Sequence, residues 1–497
     1  MNLFRDISTE VAGKRNKIFL VFMALVTVLV AFLFSEGLES FAVLLVVGGI
    51  GSFVAWMCLV KTYYAFYVLI FISFFAFFPD RLLGTSLPVS TGIEVLLLLH
   101  FVGTLIQYGM REGGGLLKTP ISVILIIFFF FLLVQFFNPD AGQNGGWLFF
   151  MRRYTGFMLI YIISYRIINT REKLKYYIKF WVVMSMLAAL YGCYQQFFGL
   201  MPFEMRDLLS KPEEFGLYMQ GGLLRKFSFL SDPVTFGVLC GSMSILTLIF
   251  ALRPQPRRKK ALLFLATFIF AMGMSFSGTR TTTIMIPAGV ALYSLMTITN
   301  RRTLILVFSF IMLVLFILYA PISNPVIDRI RSTFYASNDA SLNVRDINRR
   351  YIQPYIHEHP IGGGLMTTGT PGILMNPDHP LAGFPPDSGF LLSALEIGWL
   401  GFLIYILMNF FIIYQGIHFY FRIRDPEMRV YLIGLVCALF PILITQFSQV
   451  TVGQMPSVIF IYSVMALFTR MREFGEAADK ETKEETVQND HTFNQTI

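Results

Sequence analysis

Charged residues are scarce in this chain, at 14% of its 497 residues against 55% hydrophobic residues. Because soluble domains carry about 25% charged residues, the composition excludes an ordinary soluble protein. Cysteine is also scarce, and no pair of cysteines has the spacing of metal ligands. The four cysteines all fall within apolar stretches: Cys58, Cys193, Cys240 and Cys437. We therefore expect buried apolar cysteines rather than a metal site or a structural disulfide.

Phosphate-binding loops and internal repeats are not visible in the sequence either. The run Gly362-Gly363-Gly364 lacks the Lys and the Ser or Thr that complete a nucleotide-binding loop. The sequence therefore does not predict a nucleotide-binding loop.

What the chain does contain is a series of fourteen apolar stretches. A transmembrane helix needs roughly 20 predominantly apolar residues to cross about 30 Å of hydrocarbon. The sequence therefore predicts an all-α polytopic membrane protein with about 14 transmembrane helices. The stretches lie near residues 18–34, 40–60, 62–79, 91–108, 119–137, 149–165, 177–199, 233–252, 261–276, 281–299, 303–321, 388–413, 428–447 and 454–470.

Basic residues cluster on alternate loops between these stretches, and three of the short loops opposite hold no Lys or Arg. By the positive-inside rule the basic side is cytoplasmic, and an even number of spans leaves both termini on that side. Membrane orientation accounts in this way for most of the net charge of +9, so a nucleic-acid partner is not needed. The basic clusters lie before residue 18 and at 111–118, 166–175, 253–260, 301–302, 422–429 and 470–472; the loops without Lys or Arg are 35–39, 138–148 and 448–453.

The opposite, outer face then receives the two long segments of the chain, about 200–232 and about 322–387. Only these two have room for a folded site outside the membrane. We accordingly divide the chain into N-terminal membrane helices (1–199), a region that contains both outer loops (200–470) and a C-terminal tail (471–497). The tail is rich in Glu, Lys, Thr and Gln, which predicts a disordered cytoplasmic segment.

Two arginines stand close to predicted helix starts at the outer membrane surface. Arg225 precedes Phe227–Pro233 and the span that follows, and Arg280 lies in a tight turn rich in Ser and Thr. A guanidinium binds phosphate through two parallel hydrogen bonds and stays charged in a dry site. Two arginines at one interface suit a diphosphate at headgroup depth. The alternative is that both side chains only anchor the helices at lipid headgroups.

Further motifs surround the large outer loop. Together with the Ser-x-Ser-Gly-Thr-Arg turn at Arg280, their order and spacing resemble the O-antigen ligase and O-antigen (exopolysaccharide) polymerase superfamily of bacterial membrane glycosyltransferases. The resemblance covers roughly residues 220–410, and the first half of the chain matches only as a hydrophobic pattern. The motifs are the stretch 225–233, Arg345, Tyr351, His359-Pro360-Ile361-Gly362-Gly363-Gly364, Pro385-Pro386-Asp387-Ser388-Gly389-Phe390-Leu391, Glu396, Gly398 and Gly401.

The resemblance implies a metal-independent glycosyltransferase at the periplasmic face of the inner membrane, which uses neither a nucleotide sugar nor a cofactor. Its donor would be a glycan on a polyprenyl diphosphate, and its acceptor another lipid-linked glycan or a lipid A core sugar. In such proteins outer-face arginines are held to bind the diphosphate, which fits Arg225 and Arg280. Other partners would be membrane lipid and, beyond the substrates, chain-length regulators or flippases of surface polysaccharide biosynthesis.

The catalytic base is where this chain departs from the ligases, which usually carry His at the position of Asp387. A carboxylate can accept the hydroxyl proton in the same way. Asp387 also precedes an apolar helix, where it is a candidate N-cap, and capping favours the ionised form and so weakens the base. His379 is the reserve candidate for the base, with a solvated loop His as the alternative.

Weaker candidates for substrate binding lie around the same loop. Arg345, Arg349 and Tyr351 could share one helix face that binds sugar or phosphate, or that face could simply be solvated. Glu396 is an ionisable group within a predicted span, which by default indicates function. Losing the ligase-type His favours polymerase slightly over ligase. The alternative class is a polysaccharide or lipid-glycan transporter, although transporters favour internal repeats and ionisable residues near the bilayer midplane.

Overall fold

The computed structural model describes residues 39–84, 89–109, 119–142, 145–220, 222–321, 324–332 and 340–494, and the first predicted span, 18–34, lies outside them. The described residues are predominantly α-helical, as predicted. The helices of the first half are α1 (Glu39–Val60), α2 (Thr62–Phe74), α3 (Phe78–Leu83), α4 (Val89–Tyr108), α5 (Pro120–Val134), α6 (Gly145–Ile167), α7 (Arg171–Phe198), α8 (Pro202–Leu209) and α9 (Pro212–Tyr218). A short antiparallel hairpin follows, formed by β1 (Met219–Gln220) and β2 (Leu223–Leu224).

The second half begins at the hairpin. Its helices are α10 (Pro233–Leu252), α11 (Arg257–Phe276), α12 (Arg280–Thr283), α13 (Met285–Met296), α14 (Arg301–Tyr319), α15 (Pro325–Ser332), α16 (Ala340–Glu358), α17 (Gly369–Met375), α18 (Gly389–Glu396), α19 (Gly398–Arg422), α20 (Pro426–Thr445) and α21 (Ser457–Asn494). Within the described residues, the predicted outer segment 322–387 contains the three helices α15, α16 and α17.

Eight helices within the described residues are long and apolar enough to cross a membrane. They are Val89–Tyr108, Pro120–Phe137, Arg171–Phe198, Pro233–Leu252, Arg257–Phe276, Arg301–Tyr319, Gly398–Arg422 and Pro426–Thr445. Two further apolar helices, Gly48–Val60 and Thr62–Phe74, are shorter. This supports a membrane protein, while the count of about 14 spans stays a prediction.

Three predicted spans differ from the helices observed, and the first of them, 62–79, is divided into α2 and α3. The stretch 281–299 is divided into α12 and α13, because Pro287 cannot donate the backbone hydrogen bond that would continue the helix at Thr283. The stretch 388–413 is divided at Gly398, whose φ of +66° belongs to the left-handed region that ends α18 before α19 starts.

The C-terminal tail also differs from its prediction, because α21 continues to Asn494. A helix that is already nucleated in the bundle adds further turns without paying the nucleation cost again. Glu, Lys and Ala, which are frequent in the tail, are good helix formers. Composition alone predicted disorder here because it does not register the helix that precedes the tail.

The loops form two groups that match the predicted alternation. Among the predicted outer loops, Asn138 donates to the carbonyl of Gly362 (2.8 Å) and Thr281 bonds Ser448 through their hydroxyls (2.7 Å). Among the predicted inner loops, Arg171 pairs with Asp425 at 2.7 Å. The contact of Asn138 with Gly362 thus places the long outer segment 322–387 beside another predicted outer loop.

The centre of the bundle is occupied by α10 and α20, which are buried over most of their length and pack against each other. Both are apolar around the whole circumference, as expected for helices surrounded by other helices. Close packing of α10 on α7 needs Gly192, where an added Cβ would lie 2.2 Å from the Phe236 ring. The start of α10 is thereby held at a fixed place at the outer end.

Candidate active site

The segment that carries Arg225 ends at the start of α10. Asp232 caps this helix, because its Oδ1 accepts from the backbone N–H groups of Val234 (2.8 Å) and Thr235 (2.9 Å). Pro233 occupies the first turn, where its missing N–H costs nothing. The sequence Asp-Pro therefore fixes where the apolar helix begins and where the polar segment before it must lie.

Upstream of this cap, Ser228 holds the segment against α7. Its φ of +57° is unfavourable for a residue with a side chain, by about 1–2 kcal/mol. Gln195 of α7 offsets this cost, since it accepts from the Ser228 N–H (2.8 Å) and donates to the Ser228 carbonyl (3.2 Å). The Ser228 hydroxyl also donates to the Ala188 carbonyl (2.8 Å). The backbone on which Arg225 stands is thus rigid.

The Arg225 side chain hydrogen-bonds to the turn that leads to Arg280. Its Nε donates to the Ser277 carbonyl (3.1 Å) and its Nη2 to the Thr279 hydroxyl (2.7 Å), while Nη1 lies 3.4 Å from the Leu217 carbonyl. The sequence predicted both arginines at one interface, and the structure brings their two segments into contact. Burial lowers the pKa of Arg225, and the charge of Asp232 acts in the opposite direction.

Gly278 lies at the tip of this turn with a φ of +59°. An added Cβ would lie 2.8 Å from Nη1 of Arg329 and 3.1 Å from Cγ of Arg225. Position 278 therefore requires glycine for two reasons: the left-handed backbone conformation and the space that two arginine side chains occupy.

Arg329 is a third member of the cluster, on helix α15 of the large outer segment. Burial, together with the charges of Arg225 and Arg280, lowers the pKa of Arg329 to about 10. The sequence analysis did not single out this residue, because a cation in a long translocated loop carries no signal of its own. Only the packing of α15 against α12 places it beside the turn.

The loop after α20, residues 446–449, connects this cluster to the predicted base. Thr281, next to Arg280, bonds Ser448 (2.7 Å), and the Gly389 N–H, two residues after Asp387, donates to the Gln449 carbonyl (3.2 Å). Arg349 lies against the same loop, with Nη2 3.3 Å from the Phe447 carbonyl and its guanidinium 5.2 Å from the Phe447 ring. Arg349 and close sequence neighbours of Arg280 and Asp387 therefore contact one loop.

Asp387 does not cap α18, contrary to the alternative considered from the sequence. The cap is Ser388, whose Oγ accepts from the Leu391 N–H at 3.1 Å. Asp387 is half-buried, and its Oδ2 is enclosed without a hydrogen-bond partner among the described residues. A carboxylate oxygen in this condition is costly and remains available to a hydroxyl group.

The helix of Arg345, Arg349 and Tyr351 exists, as α16, but the three side chains do not share a face. Arg345 and Arg349 are four residues apart and lie on one side, whereas Tyr351 is offset by about 200° from Arg349 and is 79% exposed. Arg349 therefore contacts the loop at 446–449, and Tyr351 points to the surroundings of the protein.

Glu396 ends α18 and precedes the candidate span that starts at Gly398. Backbone N–H groups of Met366 and Thr368 hydrogen-bond its carboxyl, and burial raises its pKa to about 8. Since α18 has eight residues and is about 12 Å long, Glu396 and Asp387 lie at its opposite ends. Glu396 also holds the glycine run 362–364 in place, since its backbone carbonyl accepts from the Gly364 N–H at 2.9 Å.

His379 belongs to the same glycine-rich surroundings. Its Nδ1 accepts from the Leu381 N–H (3.1 Å), so Nε2 carries the proton and donates to the Asp140 carbonyl (3.0 Å). Burial lowers its pKa, which favours the neutral ring. Because both ring nitrogens have backbone partners, His379 is less suited to proton transfer than Asp387.

Comparison with known proteins gives one family. The family model described as O-Antigen ligase matches residues 265–406. The matched segment runs from α11 into α19 and includes Arg280, Arg329, Arg349 and Asp387, whereas Arg225 lies outside it. Among curated proteins no match is found.

Proposed function

We propose that this member of the O-antigen ligase and polymerase superfamily transfers a glycan from a polyprenyl diphosphate at the periplasmic face of the inner membrane. The family supports a membrane glycosyltransferase-like activity in surface polysaccharide biosynthesis, with a lipid-linked glycan donor and a glycan acceptor in general. The diphosphate, the membrane face and the roles of the residues are part of the proposal.

The observation that carries the proposal is the cluster of Arg225, Arg280 and Arg329. Burial, together with repulsion from the like charges of Arg225 and Arg280, lowers the pKa of Arg329, because both raise the energy of its charged form. A diphosphate relieves this repulsion and accepts several charge-assisted hydrogen bonds from the guanidinium groups. Perturbed groups of this kind concentrate at functional sites.

The proposed reaction uses two parts of the site, the carboxylate of Asp387 and the arginine cluster. The acceptor hydroxyl oxygen attacks the anomeric carbon of the donor while the bond from that carbon to the diphosphate oxygen breaks. Asp387 takes the hydroxyl proton, and the polyprenyl diphosphate leaves as an anion that the arginines stabilise. A single displacement of this kind inverts the anomeric configuration.

Between the two reactions of the superfamily, polymerisation is our preferred alternative, because Asp387 stands where the resemblance expects a ligase His. The lipid-linked glycans of a strain that lacks the protein separate the two. Single repeat units on the carrier indicate a lost polymerase, and finished polymer on the carrier indicates a lost ligase.

The same strain tests the arginines by complementation with Arg225→Ala, Arg280→Ala and Arg329→Ala. We expect glycan transfer to fall at least about 100-fold in the first two, because each removes charge-assisted bonds to the leaving group. Arg302→Ala is the matched control, since Arg302 lies in the first turn of α14 at the other end of the bundle. Normal transfer in both Arg225→Ala and Arg280→Ala, at normal membrane levels, contradicts the proposal.

A further inference from the structure

A polar cavity of about 200 Å³ lies between α3, α8 and α9. Pockets for drug-sized ligands usually span roughly 300–1,000 Å³. The space therefore suits a single small ring rather than an extended chain. Its position joins the predicted outer loop after α2 to the outer segment 200–232.

Arg81 is the central polar group of this cavity. The residue is 8% exposed, and its Nη2 donates to the Ser231 carbonyl at 2.6 Å. Its Nη1 is buried and has no hydrogen-bond partner among the described residues. A buried guanidinium with an unused donor group is costly unless a ligand or a water satisfies it.

The charges around Arg81 are mixed. Asp207 lies with Oδ2 4.0 Å from the Arg81 Nε, beyond hydrogen-bond distance, and Oδ1 3.1 Å from Lys211 Nζ. Asp80 and Glu214 line the same space. Three carboxylates against two cations disfavour a phosphate here. Hydroxyl groups suit this surface, since each can both donate to a carboxylate and accept from a guanidinium.

Glu204, a further carboxyl at this cavity, has a structural role. It accepts from the Gln195 amide (2.9 Å) and the Met201 N–H (3.0 Å), and so ties the start of α8 to α7. Burial raises its pKa, which the hydrogen bonds partly counteract. Gln195 is the same residue that holds Ser228, so the cavity and the Arg225 segment share one support.

Aromatic rings complete the walls of the cavity: Phe77, Tyr218 and Phe227. The Arg81 guanidinium stacks over the Phe227 ring at 4.3 Å, which fixes its orientation. The Tyr218 carbonyl accepts from the Arg225 N–H at 2.9 Å. Phe227 follows Arg225 by two residues, a separation of at most about 7 Å between Cα atoms. A group in the cavity and a phosphate on Arg225 are therefore within reach of one glycan.

We propose that this cavity, around Arg81 and Asp207, binds an uncharged, hydroxyl-rich sugar ring of the transferred or the accepting glycan. The inference rests on the proposed glycan transfer and adds a sugar subsite to it. Arg81 supplies donors to ring hydroxyls, Asp207 accepts from them, and the aromatic walls contact the apolar face of the ring.

The test uses the full chain in lipid nanodiscs and a carrier-free glycan, obtained by mild acid hydrolysis of the strain's own lipid-linked glycan. Binding is measured by saturation-transfer NMR and calorimetry. We expect Arg81→Gln and Asp207→Asn each to weaken binding about 10-fold, as for a lost hydrogen bond to a charged group. Arg206→Ala, which removes an exposed cation from the same helix, should bind as wild type.

Arg280→Ala separates this inference from the proposed function, because the probe carries no diphosphate. Unchanged glycan binding with lost transfer supports both ideas. Wild-type affinity in Arg81→Gln and Asp207→Asn overturns the sugar subsite alone, and so does displacement of the glycan from the cavity by inorganic pyrophosphate. If Arg81→Gln fails to insert, Asp207→Asn and Glu214→Gln decide, and unchanged affinity in both overturns the subsite.

Discussion

The two ends of the helical bundle treat basic residues differently. At the end formed by the predicted cytoplasmic loops, basic side chains meet carboxylates: Arg171 lies 2.7 Å from Asp425, and Lys175 lies 2.9 Å from Glu427. At the opposite end Arg329 lies beside Arg225 and Arg280, and its pKa is lowered. Basic residues at the first end pair locally with carboxylates. Some at the second end are paired too, as Lys211 is with Asp207 at 3.1 Å, but Arg225, Arg280 and Arg329 gather there as for an anion.

The largest loss of glycan transfer is expected from substitution of Asp387, the proposed base at the same end of the bundle as the arginine cluster. Asp387→Asn removes the oxygen that accepts the hydroxyl proton, and we expect kcat to fall about 100-fold or more. Donor binding should stay unchanged, because the amide is isosteric and the arginines are intact. The measurement is a transfer assay on purified protein with separate kcat and KM. A variant with normal kcat would assign proton transfer to another group.

Exchange of arginine for lysine at each end of the bundle tests whether the charge alone or also the shape of the guanidinium group matters. Arg225→Lys keeps the cation but loses the planar fork that reaches Ser277, Thr279 and Leu217. We expect transfer to fall about 10- to 100-fold, the value of one or two bonds to a charged group. Arg171→Lys, at the other end, should stay within about twofold of wild type. Equal activity of the two variants would mean that the cluster acts only as diffuse charge.

The glycine of the turn tests whether close approach of the arginines matters. Gly278→Ala forces a side chain into a left-handed conformation, at about 1–2 kcal/mol, and pushes Arg329 from its place. Thermal stability should fall, and transfer should fall about 10-fold. Gly222→Ala, in the hairpin turn with open space around it, is the control for backbone strain alone. If Gly278→Ala and Gly222→Ala lost transfer to a similar extent, Gly278 would matter only for backbone conformation and not for the arginine positions.

The smallest effect is expected at the paired end. Lys175 is 44% exposed, so its ion pair with Glu427 contributes between 0 and about 1 kcal/mol. Lys175→Ala should therefore change thermal stability by little and transfer not at all, as measured by thermal denaturation and by the transfer assay. A large loss of activity in Lys175→Ala would mean that basic residues at the paired end also take part in glycan transfer.

Much of this contrast was accessible from the sequence. The apolar stretches predicted the helical membrane class, and the Ser- and Thr-rich turn predicted Arg280 as a site residue. Arg225 was also predicted, but its hydrogen bonds to Ser277 and Thr279 join positions 52 and 54 residues away. Local patterns contain no information about such contacts.

Other features depend on tertiary packing and could not be predicted. Arg329 becomes part of the site only because α15 packs against α12. Asp387 was one candidate for the cap of α18, but Ser388 also suits that position, and only the backbone geometry decides between them. Arg81 was missed because a single arginine after an apolar stretch looks like an ordinary headgroup anchor.

The central claim is that Arg225 and Arg280 hold the diphosphate of the donor, and direct binding tests it best. The measurement is the affinity of purified protein in nanodiscs for a polyprenyl diphosphate without glycan, compared with the polyprenyl monophosphate. We expect wild type and Arg302→Ala to prefer the diphosphate, and Arg225→Ala and Arg280→Ala to lose at least about 10-fold in its affinity. Equal affinity for the diphosphate in all four proteins would contradict the account.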